Sequence, residues 1–230
     1  MNVIEIKDLV KIYTNTAMEV TAVDHINLIV EKGEFTAIVG PSGSGKTTLL
    51  NMIGGLDKAT SGEILVDNID ISTLNAKQLV DFRLHNIGFV FQSYNLIPVL
   101  TARENVSFIM EMQGLDKQKI KTRTSEILSD VGLGDRMDSR PNQMSGGQQQ
   151  RVAVARAMAS RPKFIIADEP TANLDSKTTE KLLDIMIELN EKENITFLFS
   201  THDQRVVNKA RRVIVLEDGK IVKDEKVGSR

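Results

Sequence analysis

Residues 35–47 read FTAIVGPSGSGKT, and this stretch decides the fold class of the chain. A short apolar run, 35–39, is followed by a glycine-rich turn and then by a helical pattern that continues through Ile53. The turn matches the pattern G-x-x-x-x-G-K-[ST], and it lies after a strand and before a helix, as that pattern requires. The stretch therefore predicts a strand–loop–helix unit of an α/β protein.

The glycine-rich loop has the chemistry of a phosphate cradle. Its backbone amides can point inward at phosphate oxygens, helped by the positive end of the helix dipole. Lys46 would place its ammonium on the β- and γ-phosphates, and the Thr47 hydroxyl would ligate Mg²⁺. The alternative interpretation is a glycine turn that only caps a helix. We expect the loop to bind a nucleotide through Gly40, Pro41, Ser42, Gly43, Ser44, Gly45, Lys46, Thr47 and Thr48.

The composition is that of an ordinary globular protein of 230 residues. With 41% hydrophobic residues, 26% charged residues and a net charge of -2, the chain has no basic excess that would suit nucleic acid, so no nucleic-acid partner is expected. It has no cysteine, which fits a reducing compartment. The N-terminus lacks the apolar core of a signal peptide, and no apolar run approaches the roughly 18 residues of a membrane helix. We therefore expect a cytosolic chain that reaches a membrane only through a partner.

The segments around the phosphate loop follow different patterns. Two early segments, 4–13 and 20–30, partly alternate apolar and polar residues, which predicts an antiparallel start. The middle of the chain is helical in pattern, for example over 101–113 and 117–131, because apolar residues recur at steps of three and four. From Phe164 onward, apolar strands and helical segments alternate again, which indicates a parallel sheet.

These patterns predict one domain, 1–230, with a subdivision. The expected fold class is α/β: a P-loop NTPase core with a mostly parallel sheet, an N-terminal antiparallel β subdomain and an inserted α-helical subdomain. The core would consist of 1–92 and 161–230, and the helical subdomain of 93–160.

Two acids follow a buried apolar strand in FIIADEP, residues 164–170. The carboxyl end of a strand in a parallel sheet is where ligands bind. Asp168 can hold Mg²⁺, usually through a water, while Glu169 can polarise the water that attacks the γ-phosphate. The alternative interpretation is that the acids only cap the next loop. The upstream phosphate loop favours the catalytic interpretation.

Three other polar residues lie at the ends of predicted strands. His202, after the strand TFLFS, could contact the γ-phosphate or orient the water. Gln92, after the strand 87–91, could reach metal or water with its amide. Tyr13 could stack its ring on a base. For each there is an ordinary alternative, a loop residue or a tyrosine packed in a strand.

The stretch QMSGGQQQRVAVARAMA, residues 143–159, predicts a helix that begins with poor helix formers. A serine cap at Ser145 and two glycines without side chains would make a second helix start that can bind an anion. The three consecutive glutamines that follow are interpreted as a solvated helix face.

The motifs together resemble the ATP-binding cassette of ABC transporters, and the similarity covers essentially the whole chain. They stand in one order: Tyr13, GPSGSGKT, Gln92, MSGGQ (144–148), and ADEPTANLDS (167–176) followed by STHD (200–203). The first residue of the signature MSGGQ is usually leucine, and Met144 is a volume-conserving change. Because Glu169 and His202 are both present, a cassette that does not hydrolyse ATP is not expected.

The resemblance implies a dimer of two copies that sandwich ATP. The signature residues of one copy would address the γ-phosphate of ATP held by the phosphate loop of the other. It implies nucleotide contacts from Tyr13 and Asp175, a metal contact and a hinge role for Gln92, and catalytic roles for Lys46, Gln92, Glu169 and His202. The implied signature contacts are Ser145, Gly146, Gly147 and Gln148.

The stretches FVFQSYNLIPVLTARENV and MSGGQQQRVAVARA look most like the ATPases of lipoprotein release, macrolide efflux and antimicrobial-peptide resistance. This implies, at the inner face of the cell membrane, a permease with few spans and a large extracytoplasmic domain. Two related alternatives are a regulatory ATPase that signals through a permease-like partner and a soluble cassette of DNA repair, chromosome organisation or translation. A small-molecule P-loop kinase would leave MSGGQ and STHD without a purpose.

Overall fold

The computed structural model describes residues 1–14 and 19–227. Its strands are β1 (Asn2–Tyr13), β2 (Val20–Glu31), β3 (Phe35–Val39), β4 (Ser61–Val66), β5 (Ile69–Asp70), β6 (Ile87–Phe91), β7 (Phe164–Asp168), β8 (Thr196–Ser200), β9 (Arg212–Glu217) and β10 (Lys220–Lys226). Its α-helices are α1 (Lys46–Ile53), α2 (Ala76–Asn86), α3 (Ala102–Met112), α4 (Lys117–Asp130), α5 (Gly146–Ala159), α6 (Ser176–Glu193) and α7 (Gln204–Lys209). Among the described residues, none of these helices is both long and apolar enough to cross a membrane.

The N-terminal strands form an antiparallel sheet in the order β2-β1-β4-β5. The predicted antiparallel start is therefore confirmed. Strands β4 and β5 and helix α2 were not predicted. Helix α2 is capped by Asn75 and buries only Phe82, so its sequence carries little amphipathic signal.

The second sheet has the order β10-β9-β3-β8-β7-β6, in which only the β9–β10 pair is antiparallel. The turn at Asp218 and Gly219 joins that pair, with φ of 46° and 79°. The mostly parallel core is confirmed. The register places Phe91 opposite Asp168 and Asp168 opposite Ser200, so three strands end at one edge.

Both faces of this sheet are covered. On one face, Ile165, Phe197 and Phe199 pack in an apolar core with helices α3 to α6. On the other face, Ile166 and Leu198 pack with α1 and with the antiparallel sheet. Consecutive residues of a strand point to opposite faces, so the almost wholly apolar sequences of β7 and β8 fit a sheet that is buried on both sides.

The segment 93–160, all of which the structure describes, contains α3, α4 and α5 and no strand. The predicted helix 101–113 is found one residue shorter at each end, and the predicted helix 117–131 is one residue shorter at its C-terminal end. Helix α3 starts one residue later because Thr101 is its N-cap, in a capping box with Glu104. The exact division of the chain into core and helical subdomain stays a prediction.

Candidate functional site

A cleft of about 670 Å³ opens at the carboxyl edge of the parallel sheet. It brings together the phosphate loop and polar residues from three other strand ends, which are far apart in the sequence. Besides Val20, Ala22 and Ala172, its walls are formed by Gly40, Ser42, Gly43, Ser44, Gly45, Lys46, Thr47, Thr48, Gln92, Glu169, Ser200 and His202. Most of the predicted nucleotide and catalytic residues are therefore neighbours.

The phosphate loop depends on glycine for its backbone shape. Gly45 has φ +100°, and a Cβ there would also collide with the carbonyl oxygen of Ala22. Gly43 has φ +82°, and a Cβ there would meet nothing within 4 Å. Helix α1 follows with Gly45 as an N-cap that has no side chain to accept a hydrogen bond from the first turn. The amides at this helix start are thus available to an anion.

Two side chains of the loop are held by hydrogen bonds. The Lys46 ammonium donates to the carbonyl oxygens of Gly40 and Pro41, at 2.8 and 2.9 Å. The Thr47 hydroxyl lies 3.3 and 3.4 Å from the two carboxylate oxygens of Asp168. A hydroxyl beside a carboxylate is a donor set that suits Mg²⁺, which prefers oxygen ligands.

The second acid is paired with the histidine of the neighbouring strand end. His202 Nδ1 lies 2.7 Å from Glu169 Oε1, and because an ionised carboxylate only accepts, the imidazole donates. The other carboxylate oxygen, Oε2, is closed to solvent and has no hydrogen-bond partner among the described residues. His202 therefore orients the carboxylate through Oε1 alone.

The backbone of Glu169 is strained. Its φ of 46° lies in the left-handed region, which costs a residue with a side chain about 1–3 kcal/mol. The Glu169 amide donates to the carbonyl oxygen of Ser200 at 2.9 Å, which fixes the entry to this turn. Strain of this kind persists where the surrounding structure holds it, often at functional sites.

Gln92 lies in the wall of the cleft, directly after β6. Its carbonyl oxygen accepts a hydrogen bond from the Asn173 amide at 3.1 Å. Gln92 is thereby tied to the loop between β7 and α6, which ends at Asp175, the N-cap of α6. Hydrogen bonds from the Thr178 side chain and backbone lower the pKa of Asp175.

Tyr13 is 37% exposed, so it is not a core tyrosine. Its hydroxyl donates to Asp57 Oδ2 at 2.7 Å, and the Lys11 ammonium lies 4.7 Å from the centre of its ring. Lys11 also donates to Asp57 Oδ1 at 2.7 Å. Burial raises the pKa of Tyr13, and the hydrogen bond to Asp57 raises it further. Sequence reasoning missed Lys11 and Asp57, because residues 46 positions apart in the chain carry no local signal of their contact.

The signature residues form the start of α5. The Ser145 hydroxyl accepts from the Gln148 amide at 3.3 Å, and the Gln148 side chain accepts from the Ser145 amide at 2.8 Å. A Cβ at Gly146 would collide with the Tyr94 hydroxyl, and one at Gly147 with the Thr178 methyl group. Among the described residues that line the cleft, none belongs to 145–148.

The three glutamines of α5 have three different environments. Gln148 is in the capping box, and Gln149 donates to the carbonyl oxygen of Met144 at 3.1 Å. Gln150 is 0% exposed, so the interpretation of the triplet as a solvated face is wrong for this residue. Its spacing of four and eight residues from Val154 and Met158, both buried, was the available signal.

Fold and cleft define a P-loop nucleotide-binding cassette. The chain belongs to the ABC transporter family, since the family model described as ABC transporter matches residues 23–172. The family resemblance and the fold class expected from the motifs are thus confirmed.

Two relatives and one solved structure are informative. The chain is 42% identical to the lipoprotein-releasing system ATP-binding protein LolD of Syntrophus aciditrophicus, over 95% of this chain and 98% of that protein. It is 44% identical to the macrolide export ATP-binding/permease protein MacB of Syntrophobacter fumaroxidans, over 96% of this chain but 31% of that protein. These names agree with the expected subfamily resemblance.

The solved structure is the dimeric, post-hydrolysis state of the ATP-binding cassette MJ0796 bound to ADP and Pi, a protein of Methanocaldococcus jannaschii. It matches with a TM-score of 0.89 and 42% identity, covering 99% of this chain and 100% of that chain.

Proposed function

We propose that the chain is the ATP-binding and hydrolysing subunit of a transporter, acting as a homodimer on a membrane permease. The observation that carries the proposal is the Glu169–His202 pair, which lies in the wall of the same cleft as the phosphate loop. Hydrolysis of a nucleoside triphosphate needs a loop that binds the phosphates and a group that orients the attacking water, and a carboxylate beside the loop can be that group.

The phosphate loop and Asp168 would hold the nucleotide and its metal. Amides of 40–48 and the Lys46 ammonium would bind the β- and γ-phosphates. Thr47 and Asp168, with Gln92, would hold Mg²⁺, which would neutralise charge on the phosphate oxygens. Tyr13 would stack on the base, with its hydroxyl held by Asp57.

Glu169 would act as the general base. Its Oε2 has no hydrogen-bond partner among the residues that the structure describes and is closed to solvent, so the carboxylate would have to rotate toward the cleft to accept a proton from the attacking water. His202 donates to Oε1 and so orients the carboxylate, and its exposed ring can reach toward the γ-phosphate. Glu169 and His202 thus divide proton transfer and orientation between them.

The signature residues would act on the second copy. Ser145, Gly146, Gly147 and Gln148 lie outside the cleft of their own chain, while their helix start suits an anion. We infer that they and Asp175 contact the nucleotide of the partner copy in a two-fold dimer. The dimeric MJ0796 cassette supports this arrangement.

The membrane partner would be a permease with few spans and a large extracytoplasmic domain, at the inner face of the cell membrane. The name of MacB joins an ATP-binding and a permease function, and this chain spans 31% of that protein. The resemblance to LolD favours lipoprotein release or export of a drug or peptide as the coupled process.

Replacing the general base tests the ATPase and the dimer together. Glu169→Gln should keep ATP affinity, slow hydrolysis by roughly 10²–10⁴ and trap a dimer with ATP, because the loss is confined to proton transfer. Calorimetry, phosphate release and light scattering measure the three quantities. Lys46→Ala is the control, and it should lose ATP binding itself. Monomers of Glu169→Gln in saturating ATP would refute the dimer with sites shared between copies.

The permease is tested by capture of the tagged chain from detergent-solubilised host membranes. Mass spectrometry should identify a co-purifying membrane protein with few spans and a large external domain. Glu169→Gln with ATP should increase its recovery if the dimer is the coupled state. Recovery of a ribosomal or DNA-repair complex instead would contradict the transport assignment and leave the ATPase assignment in place.

A further inference from the structure

Gln150 is a polar residue in the middle of the apolar face of α5. It is 0% exposed, and its side-chain amide donates to the carbonyl oxygen of Pro170 at 2.6 Å and lies 3.4 Å from that of Phe91. Phe91 is the last residue of β6, and Pro170 lies two residues after the end of β7. Gln150 therefore hydrogen-bonds the signature helix to both segments that carry Glu169 and Gln92, while Arg156 of the same helix donates to the carbonyl oxygens of Tyr94 and Asn95.

The burial of Gln150 is costly. In the described part of the chain its Oε1 has no hydrogen-bond partner, and a buried acceptor left without one costs about 1–3 kcal/mol. An apolar side chain of similar length, such as methionine, would avoid the cost on Oε1 and fit the surrounding apolar core. The stability of the core therefore does not explain the side-chain amide donor of Gln150, which points to another role for this donor.

The bond to Pro170 acts on the strained turn of the general base. Glu169 has φ 46°, and the Ser200 carbonyl fixes its amide on one side. Pro170 follows immediately, and its carbonyl oxygen, which Gln150 holds, fixes the other side. Hydrogen bonds thus hold the left-handed backbone of Glu169 on both sides, and the Gln150 side chain donates one of them.

We propose that Gln150 is a positioning residue for the hydrolytic step, which it serves by holding the Glu169 carboxylate in place. The proposal rests on the general-base role of Glu169 in the proposed function. Helix α5 would then have two roles. Its first turn would contact the nucleotide of the partner copy, and Gln150 would position Glu169 of the same chain. A displacement of α5 when the dimer closes reaches Glu169 of the same chain through the Gln150 amide.

The first test is Gln150→Met, which keeps the length of the side chain and removes the donor. We expect kcat for ATP hydrolysis to fall roughly 10- to 100-fold, the range that a misplacement of about 1 Å produces, with KM and ATP affinity unchanged within about twofold. Gln113→Met is the matched control, because Gln113 donates to the Leu84 carbonyl at 2.8 Å, remote from the cleft. The control should keep the wild-type kcat.

A double mutant separates positioning from mere stability. If Gln150 acts through Glu169, adding Gln150→Met to Glu169→Gln should lower the residual turnover by less than about twofold. Three results would each overturn the proposal. In the first, Gln150→Met lowers the turnover of Glu169→Gln by the same factor as that of the wild type. In the second, Gln150→Met changes only KM, and in the third it keeps the wild-type kcat. If thermal unfolding shows that Gln150→Met is not folded, Gln150→Asn replaces it. The shorter side chain keeps a polar amide but no longer reaches the Pro170 carbonyl.

The turnover of the two variants distinguishes the general-base role of Glu169 from the positioning role of Gln150. Wild-type turnover of Glu169→Gln would remove the general base and with it the proposed mechanism. Slow turnover of Glu169→Gln together with fast turnover of Gln150→Met would remove only the role of Gln150.

Discussion

The chain contains two glycine-rich helix starts, and they use glycine for different purposes. In the phosphate loop, Gly43 and Gly45 have φ of +82° and +100°, which residues with side chains rarely adopt. In the signature loop, Gly146 and Gly147 have ordinary backbone angles but lie against Tyr94 and Thr178. Glycine gives the first loop its shape and gives the second loop its close approach to neighbouring elements.

The two helix starts also differ in how their amides are satisfied. Helix α1 has no side-chain cap, whereas α5 begins with a capping box between Ser145 and Gln148. The phosphate loop therefore leaves its first turn to a ligand, while the signature loop keeps its shape without one. This difference fits a permanent site in the first case and a site completed by a second copy in the other.

The largest expected effect is at the phosphate loop. Gly45→Ala combines a left-handed backbone, which costs about 1–3 kcal/mol, with a collision at the Ala22 carbonyl. We expect ATP affinity, measured by calorimetry, to fall by up to about 5- to 150-fold, the equivalent of the strain if the free loop relaxes it and ATP binding has to restore it. Gly114→Ala is the control, because Gly114 has φ +71° with open space around it. An equal loss of ATP affinity in the control would show that strain anywhere, and not loop shape, is responsible.

An intermediate effect is expected at the signature loop. Gly147→Ala should leave ATP affinity of the monomer intact and lower turnover about 10-fold, because the new methyl group displaces the loop from Thr178. Thr178→Ser removes the colliding methyl group and keeps the hydroxyl that donates to Asp175. Steady-state ATPase assays should show recovery in the double mutant and wild-type rates in Thr178→Ser alone. A double mutant as slow as Gly147→Ala would contradict the packing role of this glycine.

The smallest effect is expected from the cap. Ser145→Ala removes a hydrogen bond worth about 1 kcal/mol, which should lower the melting temperature by about 2–4 °C. Turnover should fall as well, while ATP affinity of the monomer stays the same. Differential scanning calorimetry, a steady-state ATPase assay and ligand titration measure the three quantities. Weaker ATP binding by the monomer would place Ser145 in the site of its own chain and remove the distinction between the two loops.

The local parts of this architecture could be predicted from sequence. The phosphate loop, the acids after β7 and the antiparallel start all depend on patterns within about ten residues. Helix α2 was missed because it buries one side chain, and Gln150 was misassigned because consecutive polar residues suggested an exposed face. Asp57 was missed for a further reason, since its contact with Tyr13 spans 44 positions. Long-range contacts of polar residues leave no periodic trace.

The left-handed backbone at Glu169 makes this position a compromise. Glycine adopts φ near 46° without strain, so Glu169→Gly would relieve about 1 kcal/mol or more at this turn while it removed the carboxylate. Folding stability and the proposed proton transfer therefore place opposite demands on one residue.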